Sequence, residues 1–500
     1  MRIALVPLDS RPPNWLFPQR LAEIAGVQLE LPPRELLGTL HRGADGLALA
    51  RWLRDTVTNP LGDVRCRAAV FSWDALLYGG LIQSRQLDAE PRFDEVAAVL
   101  RQIDWSRVAG YCYATVPRLG ISVASSAVEA THALVREYFI NWGRRDEDPR
   151  AAERARSLEQ QLGHEAVEAL WNWRTRNHEL ARRAILLSCE LGLAHCHVAS
   201  EDNARAGPHL AEAEQLRRAY LDARRDYPRA RCTFFDGADE CAALLLARAA
   251  TDARGAAALP LQLSVHPAVP GPDRYTGLYE SHSLGDGLTM LARLLNFSYG
   301  YEPQERHWLV VHGVQPQPDV LATPPDQAFN NPFLLPKAVP AGGRPLLSDL
   351  CACNGANPLL VKHLAALQPG GLRGLVGFNT NFNTLGLSAA WLRLTRGDSA
   401  PEQRFLLERL ADDVVYQSVA RPAVIKYLRQ QELDPLDFAS ANSVQRQALG
   451  QLIADCWRDW VETDGAPVLA AAGISAQASR RVSFSFPWNR AFEVEAAAEL

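Results

Sequence analysis

"LAHCHVASEDNARAGPH", residues 193–209, decides the fold class. Its first half is an apolar run that reads as a strand, a polar cluster follows, and Pro208 opens a helical pattern. The same unit recurs in "RIALVPLDSRP", "RAAVFSWDALLYGG", "VAGYCYATVPRLG", "CTFFDGADE", "LQLSVHP", "HWLVVHG", "RPLLSDLCACNGAN" and "LRGLVGFNTNFN". Strands alternating with helices predict parallel sheets joined by helical crossovers. The expected fold is α/β. A mainly parallel sheet, doubly wound or barrel-like, is expected over 1–255, with a helical insertion at about 127–184. A second α/β segment follows over 256–395, then a helical region with a terminal strand over 396–500. In the insertion, Leu170, Trp173 and Asn177 recur at helical spacing. The proline-rich segment 314–343 reads as a long loop of the kind that covers or binds ligands. No internal repeat or low-complexity tract stands out.

The totals exclude several classes. A chain of 500 residues with 47% hydrophobic and 22% charged residues has the balance of a globular protein with sizeable cores. A net charge of −5 gives no global attraction for nucleic acid. No apolar run approaches the length of a membrane span, and "MRIALVPLDSRPPN" lacks the features of a secretory leader. A cytoplasmic protein without membrane or nucleic-acid partners is expected. The nine cysteines are expected to be reduced and structural; Cys351 and Cys353 form the one close pair, and no second pair completes a zinc site.

In parallel sheets, ligands bind where loops leave the carboxyl ends of strands. Asp9, Asp74, Arg118, Asp202, Asp239, His266, His312, Asp349 and Asn379 all fall at such ends. Glu201 and Asp202 leave one strand side by side, and neighbouring carboxylates repel, which raises the pKa of one and suits it to acid catalysis. Equally, Asp202 or Asn203 could cap the helix that follows. Asp239 and Glu240 open another helix, where acidic residues are favoured by the dipole alone; beside the first pair, Asp239 becomes a partner carboxylate. Asp74, with Tyr78-Gly79-Gly80 behind it, and the Asp9/Arg11 pair are candidate substrate contacts.

"GFNTNFNTLG", residues 377–386, sets three amides and two hydroxyls at a strand end. It reads as a helix cap or, the preferred reading, as a polyol clamp. His195 and His197 share a strand face and could form a metal site with Asp202, or pack as core histidines. Phosphate-loop, dinucleotide, serine-nucleophile and metalloprotease-helix motifs are missing, so no cofactor or metal is expected.

The ordered set "PLDSRPPN", "LPPRELLG", "SWDALLYGGLIQSR", "SEDNARAG", "GADE", "SDLCACNGAN", "GFNTNFNTLG" and "FPWNRAFEV" resembles a bacterial family known as domain of unknown function 4127, over nearly the whole length. The resemblance implies no activity. Glu201 stands where the family tends to have a second Asp, and Phe378 where a Trp is usual. The strand-end acidic pair is also similar, over a few residues, to the paired aspartates of substrate-assisted hexosaminidases of the O-GlcNAcase kind. There one carboxylate orients the acetamido group and its neighbour protonates the leaving oxygen.

The expectation is a hydrolase acting on a small sugar-like substrate, foremost a glycosidase. Asp202 is its acid/base and Glu201 or Asp239 the partner; Asp9, Arg11, Asp74, Tyr78, Arg118, Asn379 and Asn383 are the substrate contacts. The alternatives are a non-catalytic sugar or small-molecule binder, or a metal-dependent hydrolase or lyase using His195, His197 and Asp202.

Overall fold

The computed structural model describes residues 1–59, 65–122, 125–255, 261–268, 274–300, 307–313, 317–320, 344–364, 371–397 and 399–499. The chain divides into two compact units, Met1–Ala22 with Gly26–Gly255 and Tyr279–His282, and Glu23–Ala25 with Ala256–Leu278 and Ser283–Leu500.

In the first unit, β1 (Arg2–Val6), β2 (Gln28–Glu30), β3 (Cys66–Ser72), β4 (Ala109–Val116), β5 (His195–Ser200) and β6 (Cys232–Asp236) form one parallel sheet in the order β2-β1-β3-β4-β5-β6. The sheet is open, with β2 and β6 as its edges, so the doubly wound form expected from the sequence is realised and the barrel is not. Helices Gly46–Thr58, Phe93–Leu100, His164–Glu190 and Pro208–Asp226 cover the face bearing Ala4, Val6, Ala69, Phe71, Cys112, Ala114, Cys196 and Val198. Helix Cys241–Asp252, apolar on nearly every side and buried along most of its length, packs on β3 and β4. Burial on both faces explains why the central strands are unbroken apolar runs.

The insertion is helical over Glu129–Arg144, Pro149–Leu162 and His164–Glu190, around Val135, Phe139, Leu158, Leu170 and Trp173. Its last helix runs beyond residue 184 because Ala184, Ile185 and Leu187 join the core of the sheet.

The second unit contains another parallel sheet, of β7 (Leu261–Ala268), β8 (Phe297–Gly300), β9 (His307–Gly313), β10 (Arg344–Leu350) and β11 (Gly374–Val376), in the order β8-β7-β9-β10-β11. This repeats the order of β1 to β5, so the topology recurs although the sequence shows no repeat. In both sheets the order reverses beside the first strand, the place where ligands bind in open parallel sheets.

Ala256–Leu278 and Ser283–Leu500 both fall in the second unit. A π-helical stretch, Leu410–Ala420, carries Asp413, whose carboxylate accepts the Gly377 N–H at 2.9 Å and whose carbonyl accepts the Ala356 N–H at 2.8 Å. The terminal strand lies at β12 (Val482–Ser485), antiparallel to β13 (Glu495–Ala498). Of the proline-rich loop, only residues 317–320 are described, and the side chains of His266 and His312 fall outside the described part. Among the described residues, no helix is long and apolar enough to cross a membrane.

Candidate functional site

The loop after β1 places Asp9 and Arg11 directly before helix Pro12–Ala25, whose opening prolines need no N–H partner in the first turn. Arg11 lies between two buried carboxylates. Its Nη2 donates to Asp9 Oδ2 at 2.7 Å and to Asp239 Oδ1 at 2.7 Å, and Nη1 donates to Asp239 Oδ2 at 3.1 Å. Asn14 Nδ2 donates to both aspartates at 3.1 Å. Asp239 reaches this network because the chain turns back over the sheet after β6 into the helix packed on β3 and β4. Sequence reasoning thus named three members of the network, Asp9, Arg11 and Asp239, and missed Asn14.

Asp74 follows β3, on the other side of the crevice. Thr115 on β4 donates to it twice, N–H to Oδ2 at 3.0 Å and Oγ1 to Oδ1 at 2.8 Å. Burial, against these bonds and helped by the Glu201 charge, pushes the Asp74 carboxyl up to about 7. Tyr78 stands one helical turn further on, its phenol pushed up by burial and by the Asp74 charge.

Glu201 and Asp202 leave β5 in different environments. The Glu201 side chain is 8% exposed and that of Asp202 22%, the latter on a backbone turned to φ +38°. Arg85 binds Glu201, and Arg118 binds Asp202 while standing 4.0 Å from Glu201. Burial nevertheless raises the Glu201 carboxyl above its ordinary range, against the pull of Arg85 and Arg118. For Asp202 burial works in the same direction but Arg118 and Arg85 outweigh it, so its carboxyl is held low and ionised. Asp202 caps no helix: the helix beginning at Pro208 has Gly207 at its cap.

Asp236 at the end of β6 accepts from Ser281 N–H at 2.8 Å, Ser281 Oγ at 2.6 Å, His282 N–H at 2.9 Å and Asn203 Nδ2 at 3.1 Å. It fastens the short segment 279–282 to the sheet. Glu240, fully buried, is pushed up to about 8 by burial. His195 and His197 do not meet Asp202; both rings bond the hydroxyl of Thr233, at 2.9 and 2.7 Å.

Asn379 and Asn383 belong to the second unit. Asn379 has φ +55°, a left-handed turn that Asn tolerates, directly before helix Asn381–Leu394. Asn383 Nδ2 donates to Thr380 Oγ1 at 2.7 Å, and Thr384 Oγ1 donates to the Phe378 carbonyl at 2.6 Å. These bonds join the turn to the first turn of the helix.

The family model described as a protein of unknown function (DUF4127) matches residues 3–497. The chain belongs to this family. No curated protein and no solved structure matches it.

In this member of the family, two further groups at the first crevice escaped sequence reasoning as site residues, Arg85 and Thr115. Arg85 lies within "SWDALLYGGLIQSR", where Gly79 and Gly80 take φ +85° and +143° and turn the chain back toward β5. Two consecutive glycines between short helical patterns were the available signal. Thr115 carried none, being one threonine within a buried strand.

Proposed function

We propose that the chain is a hydrolase of small polyhydroxylated substrates, a glycosidase, acting at the carboxyl ends of β3, β4 and β5. One observation carries the reading: Glu201 and Asp202, adjacent in the chain, have environments that push their carboxyls apart. Such divergence assigns an acid and a base. Glu201, whose carboxyl burial raises above its ordinary range, is the general acid that gives its proton to the leaving oxygen. Asp202, ionised beside Arg118 and the more exposed of the two, is the carboxylate that faces the anomeric carbon or its attacking water. These roles invert the sequence expectation, which made Asp202 the acid. Asp239, held by Arg11, positions the crevice. Asp74, beside Glu201 and close to neutrality, is the group from which Glu201 is reprotonated.

The test is hydrolysis of a panel of aryl glycosides, hexosaminides included, by wild type, Glu201→Gln and Asp202→Asn. Each substitution should lower turnover by about 10²–10⁴-fold. The loss in Glu201→Gln should shrink as the aryl leaving group becomes more acidic, whereas that in Asp202→Asn should not. A wild type inactive on the whole panel, or leaving-group rescue confined to Asp202→Asn, would overturn the assignment.

A further inference from the structure

Beneath the Asp9–Arg11–Asp239 network, the sheet face under helix Cys241–Asp252 carries a second polar cluster that the proposed hydrolysis does not use. The side chains of His197, Glu240 and Cys241 each offer a ligand atom, and these atoms lie within 4.8 Å of one another. All three residues are buried, at 0%, 1% and 0% exposure. In a tetrahedral zinc site, ligand atoms stand about 3.5 Å apart, so a modest inward movement closes the cluster.

Each ligand is already oriented. His197 Nδ1 bonds Thr233 Oγ1 at 2.7 Å, which leaves Nε2 buried and without a hydrogen-bond partner. With the Thr233 hydroxyl donating to His195 Nε2 and accepting from His197 Nδ1, the free Nε2 carries its lone pair outward. A hydrogen bond on the far nitrogen of this kind is how metal-ligating histidines are fixed. Glu240 Oε2 accepts the Ala238 N–H at 3.0 Å, and its carboxylate folds over Gly237, where a Cβ would meet Oε1 at 2.1 Å. Tyr113, the register neighbour of His197 on β4, adds a buried hydroxyl that has no hydrogen-bond partner.

We propose that His197, Glu240 and Cys241 bind one divalent transition-metal ion of the zinc type. Imidazole, carboxylate and thiolate together suit zinc, and three protein ligands leave a fourth position, toward which Tyr113 supplies a hydroxyl. Binding releases the Cys241 thiol proton, and any proton that the Glu240 carboxyl carries, to solvent. Cys112, Cys196 and Cys232, in register across β4, β5 and β6, lie on the opposite sheet face and are separate from this site.

The experiment uses the full chain, stripped of metal and titrated with Zn²⁺ alone, and with Co²⁺ as a spectroscopic probe. One equivalent should bind, and the cobalt form should show thiolate-to-metal charge-transfer absorption that disappears in Cys241→Ser. Thr233→Val keeps all three ligands and should weaken Zn²⁺ binding about 10–100-fold; it decides the matter if Cys241→Ser does not fold. Absence of a stoichiometric metal in folded wild type, a cobalt spectrum without a thiolate band, or unchanged affinity in both variants would overturn the site.

Discussion

At the carboxyl ends of β1, β3, β5 and the turn after β6, the first unit gathers Asp9, Asp74, Glu201, Asp202 and Asp239, four of them paired with Arg11, Arg85 or Arg118. The second unit, with the same strand order, gathers Asp349, Asn354, Asn357, Asn379, Asn381 and Asn383 at the ends of β10 and β11. There Asp349 accepts backbone N–H groups from Cys351 at 3.0 Å and Asn357 at 2.6 Å, and Asn354 Nδ2 donates to Asp319 at 2.9 Å. Asp349, held in this way, shapes a turn; in the first crevice burial raises the Asp74 and Glu201 carboxyls above their ordinary range while Asp202 is held low. Topology therefore sets where a site can lie, and the side chains set what it does.

The strongest way to break this contrast is through a device both units share, an arginine between two aspartates. Arg11 joins Asp9 and Asp239; Arg409 joins Asp412 at 3.2 Å and Asp413 at 2.7 Å. Removing the cation strands buried charge, so Arg11→Met and Arg409→Met should each cost about 3–5 kcal/mol in urea unfolding. If Arg11→Met unfolds at the wild-type urea concentration, its network is not structural and the first crevice is looser than described.

A somewhat smaller effect tests the first crevice by pH. The Asp74 carboxyl is raised from 3.8 to about 7, so the folded state keeps a proton that the unfolded chain releases. The stabilisation this provides is complete at acid pH and is lost as pH rises from about 4 to about 7. Asp74→Asn, neutral throughout and still able to pair with Thr115, should gain on wild type across that window by up to about 4 kcal/mol and no further above it. Parallel stability curves for the two proteins would mean that Asp74 is ionised in the fold.

The smallest effects sharpen the second unit. Asn383→Ala should cost about 1 kcal/mol for its bond to Thr380. Asn379→Ala, at φ +55°, should cost about 1–2 kcal/mol and Asn379→Gly far less. Thermal unfolding checks both, and sugar-induced thermal shifts that vanish in these variants would support the polyol-clamp reading of this stretch.

Much of the fold was legible. Each of the nine apolar runs quoted from the sequence became a strand, because a strand of a parallel sheet covered on both faces must be apolar along its length. The strands missed, β2, β8 and β13, are short pieces at sheet edges or outside both parallel sheets, with no apolar run to announce them. The strand-end positions of Asp9, Asp74, Glu201, Asp202 and Asp239 were legible for the same topological reason. Their pairing was not. Arg11 and Asp239 are 228 residues apart and Arg85 and Glu201 are 116 apart, so which charges meet depends on how the crossovers return. The opposite fates of Glu201 and Asp202 rest on the turn at Asp202, which brings the second carboxylate out to Arg118.

The clamp on Asp236 has a consequence for the order in which the protein is made. Its partners Ser281 and His282 come 45 and 46 residues later in the chain, after β7 of the other unit. At about 5–20 residues per second, the growing chain waits roughly 2–9 s between delivering Asp236 and delivering the donors that satisfy it. Through that interval the nascent first unit has an unfinished edge at β6, and a chain ended at residue 255 would keep that edge unfinished for good.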